Sequence, residues 1–336
     1  MYWKEVNKML FMTCLILSIY LSLNMSSFFG LWMSMELNLM CFLPILISSK
    51  SMLEGEIMSK YFLIQFLGSF MFLYMIILID HLKDYESYLN LILILSICLK
   101  MGASPFHFWI PSIFKGLSWT KIFILSVFQK MIPLIVLVEM KLDIMILLMI
   151  SFLSIFMGSL GGLNQFCIRK LMGFSSISHL GWMLLLMKFS TYMLLIYFLF
   201  YSILNLEICY FFMKENFSYL SDLLQFKSNK LFSTLFCFNF LSLGGLPPFF
   251  GFFPKAFSLA YLIQNNLNMF AFLILILSMI SLYFYLRLTL KNISLTKKTG
   301  KLFKNFSFTK DFTVLFLLKV TSYFISFLIF LVALIN

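Results

Sequence analysis

The sequence predicts an all-α polytopic membrane protein with about eleven transmembrane helices: two inverted five-helix repeats, with broken fourth and ninth helices, plus a C-terminal helix. Three observations carry this. Of 336 residues, 62% are hydrophobic and only 11% charged, with mean hydropathy +0.99, whereas an ordinary soluble domain is about a quarter charged. Apolar runs of bilayer length follow one another along the whole chain. Two proline-interrupted segments echo each other. Such a chain has no length left for a soluble catalytic domain, which excludes nucleotide-binding, protease and nucleic-acid folds.

Hydrophobic runs bounded by charges, Gly, Pro or Asn fall at about 8–25, 28–47, 58–79, 88–104, 119–138, 142–161, 171–187, 191–213, 230–265 (interrupted), 268–290 and 313–335. Each is apolar all round rather than along one stripe, as a helix facing both lipid and other helices requires. The first has no small-residue cleavage site and is followed by further membrane helices, which argues against a cleaved signal peptide. The N-terminus and every second connection carry eighteen basic residues, including Lys4, Lys8, Lys50, Lys60, Lys115, Lys121, Arg169, Lys170 and a cluster from Arg287 to Lys310, against Lys83, Lys141 and Lys188 opposite. Basic loops stay on the cytoplasmic or matrix side. The N-terminus therefore lies there and the C-terminus opposite, which needs an odd number of spans. The formal charge of +12 thus reports topology and not a nucleic-acid partner. Six cysteines, about one per run and without C-x-x-C spacing, read as small apolar residues. Abundant Phe and Met suggest an AT-rich coding genome such as an organelle's.

The echoing segments run from Gly102 to Pro111 (GASPFHFWIP) and from Gly245 to Pro254 (GLPPFFGFFP). Both contain Pro-Phe and another proline six residues after the proline of that pair. Proline removes a backbone donor and clashes with the preceding turn, so each segment predicts a helix broken inside the membrane. The breaks fall in the fourth and ninth spans, and an offset of five inverts direction. This divides the chain into repeats at 1–140 and 141–292, followed by a basic loop and last helix at 293–336. Matching broken helices in inverted halves point to an ion or substrate path.

Of the 25 basic residues, Lys100, Lys130, Lys255 and Lys319 lie within runs. Lys319 is near a span end and can snorkel to the headgroups. The other three are deep, and each costs roughly 2.5–3.5 kcal/mol at a helix centre. Glu36 is the buried acid that can partner one of them, with Glu207 a weaker candidate; Asp80, Glu139 and Asp143 sit at span ends. A lysine beside an acid whose position or charge can change is able to load and release a proton. Lys100 would end one half-helix and Lys255 begin another, placing them in helix-end fields of opposite sign. His107 and His179 are either proton relays or hydrogen-bonded core residues. Gly158 to Gly162 reads as close helix packing. Ser175, Ser176 and Ser178 can bond their own helix. The sequence holds no Ser/His/Asp set, Walker loop, haem-ligand pair or dinucleotide fingerprint.

Five blocks, from Trp32 to Asn38 (WMSMELN), Lys100 to Pro111, Gln129 to Pro133 (QKMIP), Arg169 to Met183 (RKLMGFSSISHLGWM) and Gly244 to Lys255, together resemble the NADH:ubiquinone oxidoreductase chain 2 family, the mitochondrially encoded antiporter-like subunits of respiratory complex I, in arthropod form. The resemblance implies a multi-pass subunit of the mitochondrial inner membrane, N-terminus in the matrix. It would bind no cofactor of its own, with NADH, FMN, iron–sulfur clusters and ubiquinone held by partner subunits. Its partners would be other membrane-arm subunits and membrane lipids, including cardiolipin, and no nucleic acid. By this likeness Glu36 is the acid of a Glu–Lys pair, Lys100 its partner, Lys130 the connecting lysine and Lys255 the broken-helix lysine toward the far side. Animal members of the family lack the first three of fourteen helices, which agrees with a start on the matrix side and leaves a lateral face for neighbouring subunits. Two other readings stay open: a free-standing cation/proton antiporter of the same fold, and a scaffold that fills the membrane arm.

Overall fold

The computed structural model describes residues 2–47, 52–81, 86–140, 144–224, 230–247, 249 and 251–298. The eleventh run with Lys319, and the connections bearing Lys50, Lys83, Lys141, Asp143 and Lys227, lie outside the described residues. The described chain is all-helical: α1 (Tyr2–Asn24), α2 (Phe28–Leu46), α3 (Met52–His81), α4 (Glu86–Met101), α5 (Trp109–Phe114), α6 (Trp119–Glu139), α7 (Ile144–Leu163), α8 (Ile168–Phe189), α9 (Thr191–Glu215), α10 (Leu220–Leu224), α11 (Lys230–Gly244), α12 (Phe252–Gln264) and α13 (Asn268–Lys298). The β pairing among these residues is one isolated bridge between Cys167 and Tyr219.

Six helical stretches are long and apolar enough to cross a membrane: Phe28–Leu46, Glu54–Ile79, Trp119–Glu139, Met145–Leu163, Thr191–Glu215 and Asn268–Leu290. Met9–Asn24 and Tyr88–Met101 are shorter apolar helices. Helix α8, with its serines, Arg169, Lys170 and His179, is too polar to join them, yet every residue from Leu171 to Met187 except Phe174 is buried. It is the central helix, packed by α5, α6, α7, α9 and α12. Glycines allow the tightest of these approaches: a Cβ on Gly158 would stand 2.6 Å from the Ser178 backbone nitrogen.

Glycine, more than proline, makes the two breaks. Helix α4 ends in a left-handed Gly102 (φ +69°), with the Ala103 N–H donating to Cys98 O at 2.9 Å. Helix α11 ends in Gly245 (φ +79°), with the Leu246 N–H donating to Leu241 O at 3.3 Å. Both are six-residue C-caps that satisfy helix-end carbonyls. Pro111 and Pro254 stand third in α5 and α12, in the first turn, where a missing donor is harmless. Each break thus joins a glycine-capped end to a proline-tolerant start.

Buried apolar side chains form two clusters. The chain passes from one to the other between Leu39 and Met35 on α2, Leu125 and Val127 on α6, Ile177 and Leu180 on α8, and Leu204 and Tyr201 on α9. Buried polar groups gather near these crossings, among them Asn38, Ser126, Lys130, Ser178, His179 and Asn205. This polar layer lies between two apolar halves.

Candidate functional site

At the first break, Lys100 is the penultimate residue of α4 and is 5% exposed. Its Nζ lies 4.0 Å from Glu36 Oε1 on α2 and 3.8 Å from Met35 Sδ. At that separation the two charges attract without a hydrogen bond, and Glu36 Oε1 has no hydrogen-bond partner. Glu36 keeps 20% side-chain exposure, so it is only partly buried. The backbone at the break is held from outside: Gln65 Nε2 donates to Lys100 O at 3.0 Å, and Trp109 Nε1 to Leu99 O at 3.2 Å. Gly68 on α3 makes room for the lysine stem, since a Cβ there would stand 2.7 Å from Lys100 Cγ.

Lys130, His179 and Lys255 share one stripe of α8. Lys130 Nζ donates to Ser176 O at 2.7 Å and lies 5.5 Å from the Tyr201 ring centre. His179 Nδ1 is 2.7 Å from the Tyr197 hydroxyl, and Nε2 is 3.5 Å from that of Tyr285. Lys255 Nζ lies 5.8 Å from the Trp182 ring centre. Ser176, His179 and Trp182 are three residues apart, so each step along the helix is about 4.5 Å. The imidazole stands midway between the marks of the two lysines, and both act on it electrostatically.

Lys255 corrects one expectation. It does start a half-helix, but its Nζ reaches back to donate to Leu243 O and Gly244 O, both at 3.0 Å. Its charge therefore sits at the negative end of α11, because a four-carbon stem outreaches the break. Lys121, expected in a connection, is a further buried lysine: it donates to Leu46 O at 2.6 Å and to Glu54 Oε1 at 3.2 Å. His107 is 2% exposed, with Nδ1 lacking a hydrogen-bond partner, and it borders a crevice of 390 Å³ beside Met157 and Phe174. No hydrogen bond or ion pair among the described residues joins it to Glu36 or the three lysines. Ser175, Ser176 and Ser178 each donate to a carbonyl of their own helix.

Several polar partners escaped a reading centred on charge. Tyr61 donates to Gln129 Oε1 at 2.9 Å, and Gln129 Nε2 to Asn38 Oδ1 at 3.0 Å, tying α3, α6 and α2 together. Their signal was adjacency, Gln129 to Lys130 and Asn38 to Glu36. Tyr197 and Tyr285 carried none, being two of 15 tyrosines.

The transmembrane family described as NADH:quinone oxidoreductase/Mrp antiporter matches residues 25–281. The chain belongs to this family. Within the family, NADH-ubiquinone oxidoreductase chain 2 of Anopheles gambiae is 38% identical over 271 residues, covering 79% of this chain and 78% of the relative. Respiratory complex I from Thermus thermophilus contains a chain of the same fold, with TM-score 0.79 and 23% identity over 85% of this chain and 70% of that one. The Mrp complex from Dietzia sp. contains another, with TM-score 0.72 and 14% identity over 82% of this chain and 58% of that one.

Proposed function

We propose that the chain is the chain 2 subunit in the membrane arm of respiratory complex I, and that it moves protons across the mitochondrial inner membrane through Glu36, Lys100, Lys130 and Lys255. The observation that carries this is the burial of three ammonium groups inside an apolar helical body, Lys100 beside Glu36 and Lys130 and Lys255 on either side of His179. Bilayer helices rarely keep ionisable groups except on ion or proton pathways. His179 relays between Lys130 and Lys255; His107 is a separate candidate beside the first break. Electron transfer, with NADH, FMN, iron–sulfur clusters and ubiquinone, belongs to partner subunits. Buried polar atoms without a hydrogen-bond partner, such as Glu36 Oε1 and His107 Nδ1, are suited to ordered water along the route.

Eleven spans in two inverted repeats, 1–140 and 141–292, complete the reading, with 293–336 as the basic loop and last helix. A constant offset of 143 supports it. This register relates Gly102 to Gly245, Pro111 to Pro254, Glu36 to His179, and the start of α5 to that of α12. The packing order α1 on α2, α2 on α3 and α3 on α4 recurs as α7 on α8, α8 on α9 and α9 on α11. The basic connections put the N-terminus in the matrix and the C-terminus in the intermembrane space. Exposed apolar side chains on α1, α2 and α3, such as Tyr20, Phe29 and Phe70, face neighbouring subunits and lipids, cardiolipin among them.

Lys100→Met and Glu36→Gln, introduced into the assembled complex in sealed vesicles, should depress coupled quinone reduction and proton pumping, by at least about tenfold for the lysine. Full pumping in both variants would favour the scaffold reading. Sodium transport by the purified chain would favour a free-standing cation/proton antiporter.

A further inference from the structure

Among the described residues, no hydrogen bond from within α8 holds the His179 ring. The neighbouring hydroxyls of Ser175, Ser176 and Ser178 are all turned onto carbonyls of the same helix. The ring is instead gripped from two other helices. Tyr197 on α9 places its hydroxyl 2.7 Å from Nδ1, and Tyr285 on α13 places its own 3.5 Å from Nε2. His179, Tyr197 and Tyr285 are 5%, 3% and 1% exposed, so bulk water does not compete for these contacts. Tyr201 also packs on the imidazole, with ring centres 5.2 Å apart, but bonds neither ring nitrogen. The charged groups facing the imidazole are Lys130 from α6 and Lys255 from α12.

We propose that Tyr197 is the positioning residue of His179, with Tyr285 its weaker counterpart on the opposite nitrogen. The partner of one imidazole nitrogen decides which nitrogen carries the proton. With the Tyr197 hydroxyl donating to Nδ1, the ring proton is on Nε2 and is aimed at the Tyr285 oxygen. When a proton enters at Nδ1 and another leaves from Nε2, the ring returns neutral as the other tautomer, with one proton gained and one lost. A phenol hydroxyl both donates and accepts. The same two tyrosines therefore hold either tautomer in one plane, and the ring stays in line between the lysines throughout. This rests on the reading of His179 as a relay.

The test compares Tyr197→Phe, Tyr285→Phe and Tyr201→Phe in the assembled complex. Each keeps the ring and its packing and removes only an oxygen. Coupled proton transfer should fall roughly tenfold in Tyr197→Phe, the worth of about one buried hydrogen bond. Tyr285→Phe should lose about two- to threefold across its longer contact, and Tyr201→Phe should match the wild type. Because Tyr197 acts through the histidine, Tyr197→Phe should add nothing in a His179→Gln background, whereas a packing role would give additive losses. Wild-type pumping in Tyr197→Phe, or additivity with His179→Gln, would overturn the proposal. Should Tyr197→Phe fail to assemble, Tyr285→Phe in both backgrounds decides the same question. Lys130→Met separates the two levels: if pumping survives it, the relay reading falls and takes this inference with it. If Lys130→Met stops pumping while Tyr197→Phe is unaffected, only the positioning role falls.

Discussion

At the first break Lys100 precedes the left-handed glycine and meets a carboxylate, whereas at the second Lys255 follows the glycine and turns back onto the carbonyls that end α11. Both solutions must offset an insertion cost of roughly 2.5–3.5 kcal/mol. Attraction across 4 Å is about 4 kcal/mol at an effective dielectric near 20. Two hydrogen bonds from a charged donor offer about 1.5–3 kcal/mol each. The magnitudes are comparable, but their character differs. Glu36 is only partly enclosed and can move or take up a proton, so the first charge can be switched. Backbone carbonyls cannot change charge, so the second is held by a fixed frame.

The strongest challenge to this contrast is Lys255→Met. It would leave Leu243 O and Gly244 O buried without their lysine donor, at about 1–3 kcal/mol each, and would remove the lysine from the proposed proton route. We expect less assembled complex on native gels and coupled turnover reduced at least about tenfold. Glu36→Gln, at a site that is only partly enclosed, should lose turnover while keeping assembly. Equal assembly of Lys255→Met and the wild type would show that the second frame is not fixed by those bonds.

A finer version uses glycine. In Gly245→Ala the new methyl meets a left-handed backbone, at roughly 1–2 kcal/mol, and stands 2.9 Å from Lys255 Cδ and 3.1 Å from Nζ. Gly68→Ala also crowds a lysine, 2.7 Å from Lys100 Cγ with Ser96 O at 3.3 Å, but on a right-handed helix where the backbone cost is absent. Thermal inactivation of coupled turnover should come at clearly lower temperature for Gly245→Ala and be displaced by less than half as much for Gly68→Ala. The reverse order would mean that the first site is the rigid one.

Composition alone makes the membrane class legible, since 11% charge is far below the soluble norm. The breaks are legible because Gly and Pro act through backbone geometry, which is local. Which group faces which lysine is set by side-chain reach and helix rotation, and both lie beyond periodicity. Lys255 shows the limit: its position names the start of α12, while its ammonium belongs to the end of α11. Lys121 shows another, because a residue two places inside a helix start looks like a loop charge until the ends of α2 and α3 close over it. Tyr197 is the extreme case, an ordinary aromatic in a run of aromatics whose role exists only through the His179 nitrogen beside it.

The smallest expected effect lies outside the membrane, where the second half is stiffened between α9 and α11. Asp222 Oδ2 accepts from Ser218 N–H at 2.8 Å, Ser218 Oγ at 3.0 Å and Tyr219 N–H at 2.7 Å, capping α10. The turn is sewn to its neighbours through Ile168 N–H to Ser218 O at 3.0 Å and Trp119 Nε1 to Phe217 O at 3.0 Å. Burial pushes the Asp222 carboxyl up, but the backbone N–H groups of Tyr219 and Ser218 and the hydroxyls of Ser218 and Ser221 outweigh it and hold the group below its ordinary value. A carboxyl titrating lower in the folded than in the unfolded chain contributes stability at neutral pH, and that contribution fades as pH falls through the lowered value. Asp222→Asn should therefore make this connection easier to nick by protease at neutral pH, at about 1 kcal/mol, and the gap from wild type should close on acidification. A gap that widened instead would mean that the carboxyl is stabilised in its protonated form, and that the loop owes its order to the Trp119 and Ile168 contacts alone.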